Sequence, residues 1–151
     1  MTTVNFVTVA ESIADLNWQN SIHATRPGEI PVNGITECPY FAPRPDNFIT
    51  NIGLTREAFG GSGTEPMNLL YTMHWTYCHA PIGTVLTFTD YGDMIANIAT
   101  ILETVADNDL VDGAVDIQVM DVPNIAQVFD AAGNAYHGAV ISIRVLEFIN
   151  G

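Results

Sequence analysis

The sequence predicts an α+β domain in which one mainly antiparallel sheet, closed by a C-terminal β-hairpin, packs against a central helix. Three observations carry this. Residues 90–106 hold Met94, Ile95, Ile98, Ile101, Leu102 and Val105 at helical spacing, a wide apolar stripe. Residues 135–148 alternate instead, with Ala139, Ile141, Ile143 and Val145 on one face. Just before them, Asp130-Ala131-Ala132-Gly133-Asn134 has hairpin-turn chemistry, Gly133 supplying a positive φ.

Taken in order, the elements begin with a short N-terminal helix. Thr8 and Glu11 have capping-box spacing, and Val9, Ile13 and Leu16 follow at helical intervals until the polar run Asn17-Trp18-Gln19-Asn20. Residues 26–68 read as a long irregular arm or loop, interrupted by Pro27, Pro31, Pro39, Pro43, Pro45 and Pro66. Only 34–37 and 48–52 look able to pair briefly as strands. A segment this long without regular structure generally binds something or reaches a neighbouring subunit. Leu69 to His79 is a strand rich in β-formers, stopped by Pro81. Thr89 or Asp90 can cap the central helix, and Asn108 and Gly113 mark its exit. Strands over 115–122 and 125–129 then lead into the hairpin. The second face of the last strand mixes Tyr136, Val140, Ser142, Arg144 and Leu146, so it is only partly dry. With 151 residues, a single domain spanning 1–151 accounts for the whole pattern.

Charge narrows the function classes. Formal net charge is -13, from seventeen acids and four cations, all of them arginine: Arg26, Arg44, Arg56 and Arg144. Such a chain has no basic footprint for phosphates and should repel DNA and anionic membranes. Two cysteines, Cys38 and Cys78, make no disulfide framework and fit a reducing compartment. The start, MTTVNFVTVAES, has neither the basic nor the apolar region of a secretory signal, and no apolar run suits a membrane span.

The densest chemistry in the chain is the stretch LLYTMHWTYCHAP, which places His74, Cys78 and His79 within six residues. Strand alternation separates them. His74 and Cys78 share a face but stand about 13 Å apart, and His79 points the other way. Zinc ligands must converge to about 2.0–2.3 Å from one point, and a Cys–His nucleophile pair needs hydrogen-bond reach. Neither catalytic residue, metal site nor cofactor is therefore expected. The acidic run ADNDLVDGAVD fails the EF-hand pattern, because from Asp107 the fifth, sixth and twelfth positions are Val111, Asp112 and Gln118. Asp107, Asp109 and Asp112 read instead as a solvated negative surface. Arg26, Arg44 and Arg56 all fall in the irregular segment and are candidate contacts to an acidic partner surface, an identical neighbour's included.

From Leu69 onward the layout resembles the tail terminator (tail completion) proteins of long-tailed bacteriophages. The matching features are the strand LLYTMHWTY, the break CHAPIGTVLTF, the helix DYGDMIANIATILETVADN and the closing hairpin DAAGNAYHGAVISIRVLEF. Upstream, DLNWQN and the proline-rich CPYFAPRPDNF are also similar. The resemblance implies a structural, non-enzymatic virion protein, made in the host cytoplasm and placed at the head–tail junction. It implies a homohexameric ring that caps the head-proximal end of the tail tube, ends tube polymerisation and meets a neck or head-completion protein. DNA would pass through such a ring without specific binding, and Asp107, Asp109 and Asp112 would be candidates to face that channel. Two alternatives stay open: another neck or head-completion protein, and a small cytosolic enzyme or ligand-binding domain using His74, Cys78 and the acidic run.

Overall fold

The computed structural model describes residues 4–56, 67–83, 88–108, 116–122 and 125–149. Two fifteen-residue strands form its axis, β4 (Met67–Pro81) and β7 (Ala135–Ile149). They pair antiparallel from Met67 opposite Ile149 to Pro81 opposite Tyr136, with one register shift between Cys78 and Ala80. Each has its outer edge covered by two shorter strands laid end to end. Along β4 run β2 (Tyr40–Pro43) and β3 (Ile49–Arg56). Along β7 run β5 (Asp116–Asp121) and β6 (Ile125–Phe129). The two-residue β1 (His23–Ala24) lies parallel to β2 and completes a seven-stranded, otherwise antiparallel sheet. With helices α1 (Phe6–Ala14) and α2 (Phe88–Asp107), this is the expected α+β architecture.

Both helices pack on the same face of the sheet. Alternation delivers Leu69, Tyr71, Met73, Trp75 and Tyr77 from β4, and Ala139, Ile141, Ile143 and Val145 from β7, to one core. Val9 and Ile13 of α1 and Met94, Ile98, Ile101 and Val105 of α2 close it from above. Trp75 is fully buried, stacked on Phe41 at 5.0 Å between ring centroids and met edge-on by Phe48. Asn97 of α2 donates to the buried Tyr77 hydroxyl at 2.9 Å, so the helix is held by a hydrogen bond as well as by apolar contact.

Four expectations need correction. The first helix starts at Phe6 with Asn5 as its N-cap, two residues before Thr8. Its leading amide, that of Asn5, donates to Oε1 of the fully buried Glu147 at 2.8 Å. A carboxylate from β7 thus complements the positive end of the helix, where a local cap was expected. Second, the segment 26–68 is less irregular than its prolines suggest: it contains β2 and β3. Residues 49–52 do enter a strand, whereas 34–37 do not. Pro43 is tolerated because it ends β2, beyond the two residues that pair with β1. Third, α2 begins at Phe88, so Thr89 and Asp90 lie in its first turn. Fourth, its buried stripe is narrower than expected: Ile95 is 44% exposed.

Gly138 marks the tightest approach in the sheet. A Cβ built there would stand 1.8 Å from the carbonyl oxygen of Tyr77, beside the register shift. Backbone cannot yield as a flexible side chain can. Gly138→Ala should therefore destabilise the fold by about 3 kcal/mol or more, read as a lower urea midpoint. Wild-type stability in that variant would mean the two strands do not meet so closely.

Candidate functional site

The face of the sheet away from the helices holds the polar side chains that sequence analysis left on the partly dry side. At its centre, His74 bridges three strands. Its Nε2 lies 2.6 Å from the Thr50 hydroxyl on β3, and its Nδ1 lies 2.8 Å from the Ser142 hydroxyl on β7. Register produces this: Ser142 is directly opposite His74, and Thr50 is opposite Thr72, two residues along β4 on the same face. Burial, seconded by the Arg44 charge, lowers the His74 pKa. A neutral imidazole has one N–H, so one hydroxyl accepts from the ring and the other donates to it.

A serine hydroxyl on a histidine is also how a hydrolase nucleophile is activated. Here the second ring nitrogen meets Thr50, where a catalytic triad would place a carboxylate to stabilise the imidazolium. Ser142 is itself buried. The bridge is a strap between strands. Cys78 is no better as a nucleophile: burial pushes its thiol up to about 12, which keeps it protonated. His79 stands on the opposite face, its Nδ1 2.7 Å from the Tyr77 hydroxyl, as alternation requires. Among the described residues no three His, Cys, Asp or Glu side chains are grouped to hold a metal ion. None of their helices is long and apolar enough to cross a membrane.

Beside the strap the same face sinks into a cleft of about 340 Å³. One wall is the turn from β2 to β3, with Arg44, Pro45 and Asp46. The other is the β6–β7 hairpin, with Gln127, Val128, Phe129 and Asp130. Thr76 and Val140 are the lining residues from the two central strands. A second, smaller cavity that shares Pro45, Thr76, Phe129 and Asp130 is lined also by Tyr40 and Cys78. Arg44 is held by its own turn, Nε donating to the Asp46 carbonyl at 2.8 Å and Nη2 to the Asn47 carbonyl at 2.9 Å. Thr76 is 4% exposed, and its hydroxyl has no hydrogen-bond partner.

Asp130 anchors the hairpin wall. Its Oδ1 accepts from the amides of Ala132 and Asn134, and its Oδ2 from the amide of Ile35, the Asn134 side chain and the Tyr136 hydroxyl. Burial alone would raise the Asp130 pKa, but the hydrogen bonds from Asn134, Ile35 and Ala132 outweigh it and the pKa is lowered. Gly133, at φ 84°, makes the turn as expected.

The residues singled out from sequence do not converge. Arg26 folds back on α1, pairing with both carboxylate oxygens of Asp15 and, at 3.5 Å, with Glu11. Arg44 lines the cleft, and Arg56 ends β3. Asp107 is exposed at the end of α2, while Asp109 and Asp112 lie outside the described residues. Thr50 went unnoticed because only register brings it to the face, whereas alternation alone puts Thr76 on the face of His74 and Ser142 on the partly dry side of the last strand. No protein-family model matches this chain, and no curated protein sequence matches it.

A depressed Asp130 pKa fixes the sign of a pH effect. Its contribution to stability is complete above the unfolded carboxyl pKa of about 3.9 and is lost as pH falls through the lower folded value. Asp130→Ala should cost at least about 2 kcal/mol at pH 7, since it strips acceptors from three backbone amides. The difference from wild type should shrink on acidification below pH ~4. Urea unfolding of both proteins across pH checks this; a difference that grows toward low pH would contradict the assignment.

Proposed function

We propose that the chain is a structural assembly subunit: a ring-forming cap on the head-proximal end of a phage tail tube, which ends tube polymerisation and joins the tail to the neck. The observation that carries this is the one-sided sheet. Helices cover one face, while among the described residues the other carries no helix: around the His74 strap its side chains are buried or half-buried among the strands, and Arg144 and Phe148 toward the end of β7 are exposed. Among the described residues the outer edges of β3, β5 and β6 pair with nothing. Ile52 and Leu54 on β3 are each 57% exposed. Open strand edges and unpartnered apolar side chains are surfaces that a neighbouring chain completes. The site chemistry agrees with this reading, since at the strap Cys78 is a buried thiol and Ser142 is bonded to His74.

Electrostatics suits the role. At net charge -13 a ring of such chains would let DNA pass without adhering. Head-to-tail contact between unlike edges gives a closed ring when the rotation closes. The similarity of residues 69–148 to tail terminator proteins supplies the tube and the neck as partners.

Electron microscopy tests the proposal at two levels. The purified protein, alone or mixed with tail tubes, should appear as rings at tube ends. Tails made without it should have uncontrolled length or fail to join heads. Normal virions in its absence would overturn the reading, and rings that never sit on tube ends would favour a different neck role.

A further inference from the structure

We infer that the cleft beside the His74 strap is a docking site for a carboxylate carried on an apolar body, as presented by an acidic–apolar segment of a partner polypeptide. This stands without the tail-cap reading, because it rests on the cleft alone.

Arg44 is the first support. The chain has seventeen acids, yet among the described residues no carboxylate forms an ion pair with Arg44, whereas Arg26 takes two. Its Nε and one Nη2 hydrogen are used on carbonyls of its own turn, which fixes the guanidinium in place. The remaining N–H groups can meet a carboxylate with little further ordering of the side chain. The second support is Thr76. A buried hydroxyl without a partner costs free energy, and Thr76 lines both the cleft and the smaller cavity beside it. A ligand bringing an amide group there would satisfy it. The third is shape and lining: about 340 Å³, with Pro45, Val128, Phe129 and Val140 supplying apolar surface.

Two acids also face the cleft, and they orient the ligand. Asp130 lies on the hairpin wall with both oxygens already accepting hydrogen bonds, so it repels a second carboxylate and offers it nothing. The ligand's carboxylate therefore belongs at the Arg44 wall and its apolar body against Val128 and Val140. Asp46, exposed next to Arg44, disfavours ligands with more than one negative charge.

The test is an NMR titration of the whole protein with two capped dipeptides, acetyl-Asp-Phe-amide and acetyl-Asn-Phe-amide. The Asp peptide should move the amides of Thr76, Val128, Phe129 and Val140. The Asn peptide should bind about 10-fold or more weakly, as expected for one charge-assisted hydrogen bond. Arg44→Gln should remove that discrimination, and Thr76→Val should weaken both peptides while leaving the discrimination intact. Equal binding of the two peptides to wild type, or shifts that avoid the cleft, would overturn the proposal. Dilution of the protein alone should leave the same amides in place, as expected when the segment belongs to a different polypeptide; their movement would seat a second copy in the cleft and overturn that assignment.

Discussion

The antiparallel pairing of β4 with β7 is the constraint on which everything else depends. It is the longest pairing described, running from Met67 opposite Ile149 to Pro81 opposite Tyr136. Side chains alternate with period two, so this single register decides which fifteen-residue row faces the helices and which faces outward. A slip of one residue would carry Trp75 and Tyr77 out of the core and push His74 and Thr76 into it. Gly138 permits the register: at that point the strands approach too closely for any side chain on β7. The four outer strands then only need to follow edges already laid down.

The long-range order of the fold was legible because its signals are periodic and local. Alternation in 135–148, the helical stripe of 90–106 and the Gly133 turn each identify an element without reference to the rest. What could not be read depended on partners distant in sequence. The helix begins at Phe6 because Glu147, on the last strand, receives the amide of Asn5; Thr8 and Glu11 offered a local answer that the tertiary one displaced. β3 forms because β4 presents an edge, despite a bulge between Thr50 and Gly53 and a positive φ at Asn51. The His74 strap shows the same limit: alternation took apart the apparent His–Cys cluster, but its replacement needed the pairing of three strands.

Glu147 and Asp130 show how so acidic a chain uses buried carboxylates. Both are almost fully enclosed, and neither has a basic partner within the described residues. Each is satisfied by N–H and O–H donors. Glu147 takes the Asn5 amide and the Tyr71 hydroxyl, and Asp130 takes three amides, an Asn side chain and a Tyr hydroxyl. Charge-assisted bonds from backbone amides are strong enough to offset burial. With four cations in the whole chain, this is the available way to tie α1 to β7 and the 30–35 loop to the hairpin.

Hydrogen-bond satisfaction also separates two kinds of polar group on the face away from the helices. Thr50 and Ser142 both bond to His74, so each ring nitrogen is satisfied and another surface can cover the imidazole without stranding either. Thr76, two residues along the same strand, has no such partner. The strap is therefore passive toward an incoming surface, compatible with many. The cleft is selective, because what enters it must bring a group for Thr76 and a charge for Arg44. A face built this way can tolerate broad contact across its centre while recognition is concentrated at one end.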